Sequence, residues 1–381
     1  MYSSFNVGAG ICLLLSVSLV ACTDSGGMHL TEAPVPVLDV ALTELMVLGG
    51  DQTDASASLL GNPRSVATDQ QGNIYVADVG AMGIKVYDEE GSYVRTIGER
   101  GREEGQLHDI TCMYVDSTGH IIVADNINKH IIEFSSTGQI LALHEIDYDE
   151  MLWPRQLIEV EPEHFLFLYR MPDGEALFHV FDGEFQKEAE FGAFSTFDME
   201  RGAFSNPFSQ IFPGYVWREN MNAILFAPGL YSGKVHRYRK QGDAWVKGQT
   251  LHGYVHEKQP FTDLEVAPYI GASRVMTMRG RKYAAKIHNE SRGVFTLNDG
   301  HIVHFTVIES LNGKVFGVEL YTAEGELLGY SPLEQFQTTP SEDDNDTIAV
   351  FVSWKDDADR FYVRDHRELP VVRVIELDFH L

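Results

Sequence analysis

Short apolar runs alternate with polar turn residues along most of the chain. The runs SVATD, NIYVAD, IKVYD and YVRTIG are rich in Val, Ile, Tyr and Thr, and Gly, Asp or Asn bounds each of them. β-Branched and aromatic residues in runs this short predict strands. The segments DQQGN and DEEGS place a glycine where a tight hairpin needs a positive φ. The pattern therefore predicts an all-β chain of short antiparallel strands joined by hairpins.

The strand pattern repeats at an offset of 47 residues, so that Asp69 aligns with Asp116 and Asp78 aligns with Asp125. Self-similarity at a period of about 40–50 residues indicates a repeat architecture, and four short strands per unit are typical of a propeller blade. Because one blade cannot bury its own faces, the repeat predicts a ring of stacked blades.

Weaker copies of the unit continue toward the C-terminus. They keep the strand pairs and the turns, and they cover residues 153–192, 212–251, 291–330 and 343–377. Together with the first two units they predict a six-bladed β-propeller with four-stranded antiparallel blades over residues 40–381. We predict that the apolar run at 40–49 closes the ring as the outer strand of the last blade, which also protects the sheet edges. Residues 252–290 fit no blade and are predicted to be an insertion, either helical or a loop over one face.

The first two blades resemble the NHL-repeat family of β-propellers. The resemblance is carried by Pro63 at the start of the first strand, by D-x-x-G-N-I-Y-V-A-D at 69–78, by the turn glycine Gly91 and by the Gly-rich connector at 97–107. Over residues 40–381 the chain is similar to the bacterial six-bladed β-propeller lipoproteins.

The N-terminus has the features of an export signal. Residues 11–22 read ICLLLSVSLVAC, and this apolar run is shorter than the roughly 20 residues that a membrane-spanning helix needs. Its end resembles the lipobox of bacterial lipoproteins, which implies a signal peptide at 1–21, lipidation of Cys22 and a flexible tether at 22–39. The resemblance places the protein in the bacterial cell envelope, on the outer membrane and facing the periplasm or the surface. A lipid anchor would then be its only contact with the membrane.

The charge and the cysteines argue against several classes of protein. The formal net charge is −27, so the basic surface of a nucleic-acid binder is missing. Three cysteines without a CxxC pair argue against a disulfide framework and a structural zinc site. The sequence also contains no GxSxG, HExxH or P-loop motif.

The resemblance implies a ligand site at one mouth of the central channel, formed by the starts of the first strands and the ends of the second strands. The predicted ligand-binding residues at these positions are Arg64, His108, Trp153, Arg155, Arg170, Tyr215, Trp217 and Tyr231, with Arg292 and Lys355 from the last two blades. Arginines and aromatic residues are frequent anchors of binding sites, and arginine suits carboxylates and phosphates. Asp78, Asp125 and Asn126 are candidate metal ligands, and the two aspartates are alternatively turn caps that connect neighbouring blades.

Two functions are consistent with these features. The first is an envelope-anchored, monomeric and non-enzymatic platform that binds a protein, a peptide or a glycan without a cofactor. The alternative is a metal-dependent propeller hydrolase or lyase, similar to the lactonases, with calcium at the channel mouth. The missing catalytic motifs favour the platform, and the cations at the mouth would repel a metal ion.

Overall fold

Six four-stranded antiparallel sheets form the blades of a β-propeller in the computed structural model of the chain. The structure describes residues 35–50, 56–145, 153–170, 176–193, 212–255, 261–264, 274–278, 281–310, 313–337 and 349–381. The fold predicted from the sequence is therefore confirmed.

The first strand of the fold is β1 (Asp39–Leu48), and the blades follow in chain order. Blade 1 contains β2 (Pro63–Thr68), β3 (Ile74–Asp78), β4 (Gly83–Tyr87) and β5 (Tyr93–Ile97). Blade 2 contains β6 (Ile110–Val115), β7 (Ile121–Asp125), β8 (His130–Phe134) and β9 (Ile140–Glu145). Blade 3 contains β10 (Trp153–Glu161), β11 (His164–Arg170), β12 (Ala176–Phe181) and β13 (Lys187–Ala193).

The second half of the ring has the same organisation. Blade 4 contains β14 (Gly214–Asn220), β15 (Ala223–Pro228), β16 (Lys234–Gln241) and β17 (Ala244–His252). An inserted sheet contains β18 (Phe261–Asp263), β19 (Arg274–Met278) and β20 (Arg281–Ile287). Blade 5 contains β21 (Asn289–Thr296), β22 (Ile302–Ser310), β23 (Gly313–Tyr321) and β24 (Leu327–Pro332). Blade 6 contains β25 (Val350–Lys355), β26 (Phe361–Asp365) and β27 (Val371–His380), and short 3-10 turns occur at Ser56–Ser58 and Glu334–Phe336.

The first strand of each blade lines the centre of the ring. β2, β6, β10, β14, β21 and β25 contact one another in this order, and β25 contacts β2 again. These six inner strands therefore surround a central channel with two mouths. We call the mouth where the inner strands begin, near Pro63 and Ile110, the upper mouth. The lower mouth lies where they end, near Thr68 and Val115.

β1 closes the ring as the fourth strand of blade 6, as the sequence predicts. It pairs with β27 in antiparallel register from Asp39 opposite His380 to Leu48 opposite Val372. A β-bulge between Glu44 and Met46 interrupts the register. Because a one-residue bulge reverses which side chains face each side of a sheet, this strand packs on both neighbouring blades. Before the bulge its apolar side chains pack on the core of blade 5, and after the bulge they pack on the core next to blade 1.

The aspartates of the repeat cap the hairpins between the first and second strands. The Oδ1 of Asp69 accepts the backbone N–H of the residue four positions later at 2.9 Å. Asp116 and Asp356 make the same hydrogen bond at 2.8 Å and 3.0 Å. The aspartate is therefore repeated at this position because it caps the turn of each hairpin.

The insertion between blades 4 and 5 is a small antiparallel sheet in the order β18, β20, β19. The prediction of a helix or a loop is wrong for this described part of the insertion. Ala285 and Ile287 of the sheet pack with Leu230, which follows the second strand of blade 4. Since second strands end at the upper mouth, the inserted sheet lies on the same face of the propeller as that mouth.

The predicted signal peptide at 1–21 and the lipidation site Cys22 lie outside the described residues and stay predictions. The end of the predicted tether at 22–39 packs on the fold, because Leu38 is buried and its N–H donates to the Tyr330 carbonyl at 3.0 Å. The ordered body therefore begins before residue 40. Within the described ranges, the chain forms no helix of the length and apolarity that crossing a membrane requires.

We expect Asp365→Asn to lower the free energy of unfolding by about 2 kcal/mol at pH 7. The buried Asp365 carboxylate accepts hydrogen bonds from Arg367 at 2.7 Å and from Arg373 at 2.8 Å, and Arg373 also pairs with Glu44 of β1. Burial alone would raise the pKa of Asp365, but the bonds from Arg367 and Arg373 lower it to about 2.

Because the folded-state pKa lies below the unfolded one, this contribution is complete above about pH 4 and is lost as the pH falls toward 2. Urea unfolding of both proteins at several pH values measures the difference. The exposed Asp378→Asn serves as the control. A stability difference that does not change between pH 7 and pH 2 would contradict the prediction.

Candidate functional site

Four arginines from four blades converge at the upper mouth. Arg64 and Arg155 lie near the starts of β2 and β10, Arg292 lies in β21, and Arg364 lies near the end of β26. The guanidinium groups of Arg292 and Arg364 pack over the ring of Phe351, at 4.5 Å and 5.0 Å from its centroid. Arg292 also pairs with the buried Glu290 at 3.2 Å. Arg155 and Arg364 are therefore the two arginines of this group that have no carboxylate partner among the described residues.

Arg364 is a buried cation whose described neighbours are mostly other cations. Its side chain donates to the Pro63 carbonyl at 3.2 Å and to the Ser353 hydroxyl, and only 7% of the residue is exposed. It has no carboxylate partner among the described residues. Burial, together with the nearby charge of Arg155, lowers the pKa of Arg364 to about 9. Burying a charged guanidinium destabilises the fold unless a group of opposite charge pairs with it.

Arg64 and Arg155 complete the cationic rim. Arg64 donates to the Asp109 carboxylate at 3.2 Å and to the Ile110 carbonyl at 3.0 Å, so it also links blade 1 to blade 2. Burial lowers the pKa of Arg64, and Arg155 lowers it too. Arg155 itself is exposed and makes no hydrogen bond within the described part of the chain. Arg155 is therefore the group that an incoming anion would meet.

The structure brings only part of the predicted ligand-binding set together. Tyr215 is half-buried and lies close enough to Arg364 to influence its pKa. Trp153 and Arg170 pair with each other across β10 and β11 near the upper mouth; their side chains are outside the described residues. The backbone N–H of His108 donates to Asp125 at 2.5 Å, which holds this residue at the start of blade 2.

Three predicted residues lie elsewhere. Trp217, at the centre of β14, and Lys355, at the end of β25, line a cavity at the lower mouth. Tyr231 is fully buried between blades 4 and 5, where its hydroxyl bonds to Glu319. The placement of these three residues at the upper mouth is thus corrected.

Sequence reasoning missed Arg364 and Phe351. Arg364 satisfies the rule that the ends of second strands reach the upper mouth. From blade 6, the sequence predicts Lys355 as a residue of this mouth, but Lys355 lies at the end of a first strand. A correct strand assignment for blade 6 would have included Arg364, whereas no sequence signal indicates that Phe351 stacks with two arginines.

The candidate metal ligands Asp78 and Asp125 are occupied by backbone amides. Asp78 accepts N–H groups from Gly61 at 2.9 Å and from Asn62 at 2.7 Å. Asp125 accepts those of His108 and Asp109 in the equivalent turn, and Asn126 donates its own N–H to the Asp109 carbonyl. The described residues include no group of three or more His, Cys, Asp or Glu side chains arranged to hold a metal ion.

A buried relay in blade 5 has the geometry of a nucleophilic triad. His304 Nε2 lies 2.9 Å from the Ser291 hydroxyl, and His304 Nδ1 lies 2.8 Å from the Glu319 carboxylate. Serine, imidazole and carboxylate occur in this arrangement in hydrolases. Here at most 2% of each residue is exposed, so the serine faces packed protein. The relay therefore serves as a structural connection within the blade.

Comparison with known proteins supports the fold. No family model matches the sequence, and no curated protein matches it. Among solved structures, a protein from Bacteroides fragilis that is described as exported is similar at 10% identity and a TM-score of 0.55, over 90% of this chain and 96% of its own. A member of the DUF4221 family from Bacteroides vulgatus is similar at 10% identity and a TM-score of 0.52, over 90% and 99%. At this identity the likeness shows a shared fold, and the NHL-repeat assignment stays a resemblance seen in the sequence.

Proposed function

We propose that the protein is an exported, non-enzymatic binding protein that captures an anionic ligand at the upper mouth of its propeller. The observation that carries this proposal is the buried Arg364, which lacks a carboxylate partner among the described residues and lies close enough to the exposed Arg155 for the two charges to interact. A carboxylate, phosphate or sulfate group would bond to both guanidinium groups and would neutralise the buried charge.

The surroundings of the mouth support an anionic ligand. The sequence has 29 basic and 56 acidic residues overall. The segment 258–292, which includes the inserted sheet beside the upper mouth, reverses this ratio with seven lysines and arginines against three acidic residues. Of these basic residues, Lys282 is exposed in the described part of the inserted sheet. An exposed cation on an acidic protein attracts anions to its own face.

Export is supported by two independent observations. The segment ending at Cys22 resembles a lipobox, and a solved structure with the same fold is described as an exported protein. The ligand would then be a component of the cell envelope or its surroundings, such as an acidic glycan or an acidic peptide or protein segment, and the membrane contact would be the lipid anchor.

We expect Arg155→Ala to weaken the binding of a small anion by about 10-fold or more, because a charge-assisted hydrogen bond contributes roughly 1.5–3 kcal/mol. Isothermal titration with D-glucuronate and with inorganic phosphate at low ionic strength measures this, with D-glucose as the neutral match to glucuronate. Arg218→Ala provides the matched control, because Arg218 lies at the lower mouth. Equal affinity for glucose and glucuronate, or an unchanged affinity in Arg155→Ala, would contradict the proposed function.

A further inference from the structure

The lower mouth of the channel opens into a funnel-shaped cavity of about 600 Å³. Every blade contributes the end of its inner strand to the wall. This volume lies within the range of sites for small organic molecules. The funnel lies at the opposite end of the inner strands from the four arginines of the upper mouth, and its wall includes the hairpin caps Asp69, Asp116 and Asp356.

The floor of the funnel is aromatic. The ring of Trp354 lies 5.4 Å from that of Trp217 and 5.9 Å from that of Tyr114, and each pair is tilted by 71°. The indole N–H of Trp354 donates to the Thr68 hydroxyl at 2.9 Å, which fixes the orientation of the ring. Trp354 and Trp217 are only half-buried, although they pack against the cores of several blades. Two tryptophan rings at nearly right angles therefore form a corner that opens into the cavity.

A buried carboxylate with a free oxygen lies beside this corner. Glu159 lines the funnel, and only 6% of the residue is exposed. Its Oε1 accepts the N–H of Glu163 at 3.3 Å, and its Oε2 has no hydrogen-bond partner among the described residues. Burial raises the pKa of Glu159, and the Glu163 N–H together with the nearby charge of Arg218 offsets this rise only in part.

The other charges of the funnel are mostly engaged within the fold. Asp69, Asp116 and Asp356 cap hairpins, Glu219 pairs with Arg237 at 2.7 Å, and Lys355 pairs with Asp359 at 2.5 Å. Asp357 is exposed on the rim, and Arg218 is half-buried near Glu159. The lining holds six acidic residues and two basic ones, so the potential inside the funnel is negative.

We propose that the funnel is a binding site for a small organic cation, whose ammonium group stacks on Trp217 and Trp354 and pairs with Glu159. A cation over the face of tryptophan is stabilised by the negative face of the ring, and this stabilisation is largest where water is excluded. The carboxylate supplies the opposite charge that the aromatic corner lacks. The protein would then have two binding sites for ligands of opposite charge, an anion site at the upper mouth and a cation site at the lower mouth.

The test compares choline with 3,3-dimethylbutan-1-ol, which has the same shape with carbon in place of the charged nitrogen. Titration of the full chain, followed by tryptophan fluorescence and by calorimetry, is expected to show choline binding at least about 10-fold tighter than the neutral alcohol. Equal binding of the two compounds would show an apolar pocket and overturn the proposal. The absence of any fluorescence or heat change for choline would overturn it as well.

Variants assign the binding to the funnel. Glu159→Gln keeps the shape of the side chain and is expected to weaken choline binding about 10-fold without changing the binding of the alcohol. Glu145→Gln, on the outer strand of blade 2, is the matched control and should bind choline normally. Trp217→Leu provides a second test in case Glu159→Gln does not fold, and circular dichroism monitors the fold of each variant. Normal choline binding by a folded Glu159→Gln or Trp217→Leu variant would overturn the proposal, and Arg155→Ala should leave choline binding unchanged.

Discussion

Glu319→Gln is expected to lower the free energy of unfolding by about 3–5 kcal/mol, because it removes a carboxylate that accepts four buried hydrogen bonds. Glu319 is completely buried in β23. One carboxylate oxygen accepts the hydroxyls of Tyr231 and Tyr321, both at 2.7 Å, and the Nδ1 of His304 at 2.8 Å. The other oxygen accepts the backbone N–H of Tyr254 at 2.7 Å. Burial alone would raise the pKa of Glu319, but the hydrogen bonds from His304 and the tyrosines keep it below its ordinary value.

The network fastens blade 4 to blade 5. Tyr231 and Tyr254 follow strands of blade 4, whereas His304, Glu319 and Tyr321 belong to blade 5. The site has no spare room, since a Cβ on Gly253 would lie 1.8 Å from the Tyr231 hydroxyl and 2.7 Å from the Glu319 carboxylate. A glutamine would keep the volume but would present an NH₂ group to donors that need an acceptor. The expected loss therefore reports on hydrogen bonding and charge rather than on a cavity.

Chemical denaturation of Glu319→Gln and of the native chain measures the loss. Glu324→Gln is the matched control, because Glu324 lies exposed in the next turn of the same blade. Tyr231→Phe, alone and combined with Glu319→Gln, gives the coupling energy between the two side chains through a double-mutant cycle. Equal stability of Glu319→Gln and Glu324→Gln would show that the network contributes no net stability.

The sequence predicts the fold well because turns and repeats are local signals. Asp69 and Asp116 occupy equivalent positions and make the same capping hydrogen bonds. Hairpin chemistry of this kind depends on residues within four positions of each other, so one sequence contains all the information needed. The inserted sheet was missed because its strands have no partner blade in the repeat.

The candidate site is harder to predict because its residues come from different blades and meet only when the blades form a closed ring. Arg64, Arg155 and Arg364 are far apart in the sequence, and only the circular order of the inner strands brings them to one mouth. The rule for strand starts selected Arg64 and Arg155 correctly as residues of that mouth. It failed for Tyr231, since alternation along the chain does not distinguish a side chain facing the channel from one facing a neighbouring blade. The rule also failed for Lys355. This residue ends a first strand, which lies at the lower mouth, whereas the rule requires the end of a second strand, which lies at the upper mouth.

Removal of β1 is expected to abolish cooperative folding of the propeller. The strand contributes Leu48, which is 1% exposed, and the partly buried Val40, Leu42 and Met46 to the cores of blades on both sides. Burial of an apolar side chain contributes roughly 1.5–3 kcal/mol. Leu48 reaches this range and the three half-buried residues contribute about half as much each, so together they account for roughly 4–7 kcal/mol. This loss is comparable to the stability of a marginal domain, since ordinary domains are stable by about 5–15 kcal/mol.

The loss of β1 also creates an open edge. β27 would expose the backbone groups that now pair with β1 from Asp39 to Leu48, and unpaired edges of this length promote aggregation. The ion pair between Glu44 and Arg373, with its link to Asp365, would disappear at the same time.

Two shortened chains test this expectation, one that starts at Val35 and one that starts at Gly50. We expect the first to unfold in a single transition and the second to aggregate or to unfold without one. A synthetic peptide of residues 35–48 should restore the transition of the shorter chain, because an added strand can complete an open sheet edge. A peptide with Leu42→Asp and Leu48→Asp is the control, since it keeps the backbone but cannot enter the cores. If both chains melted at the same temperature, the ring would be held closed by the inner strands alone, and β1 would be an accessory to the fold rather than the element that completes it.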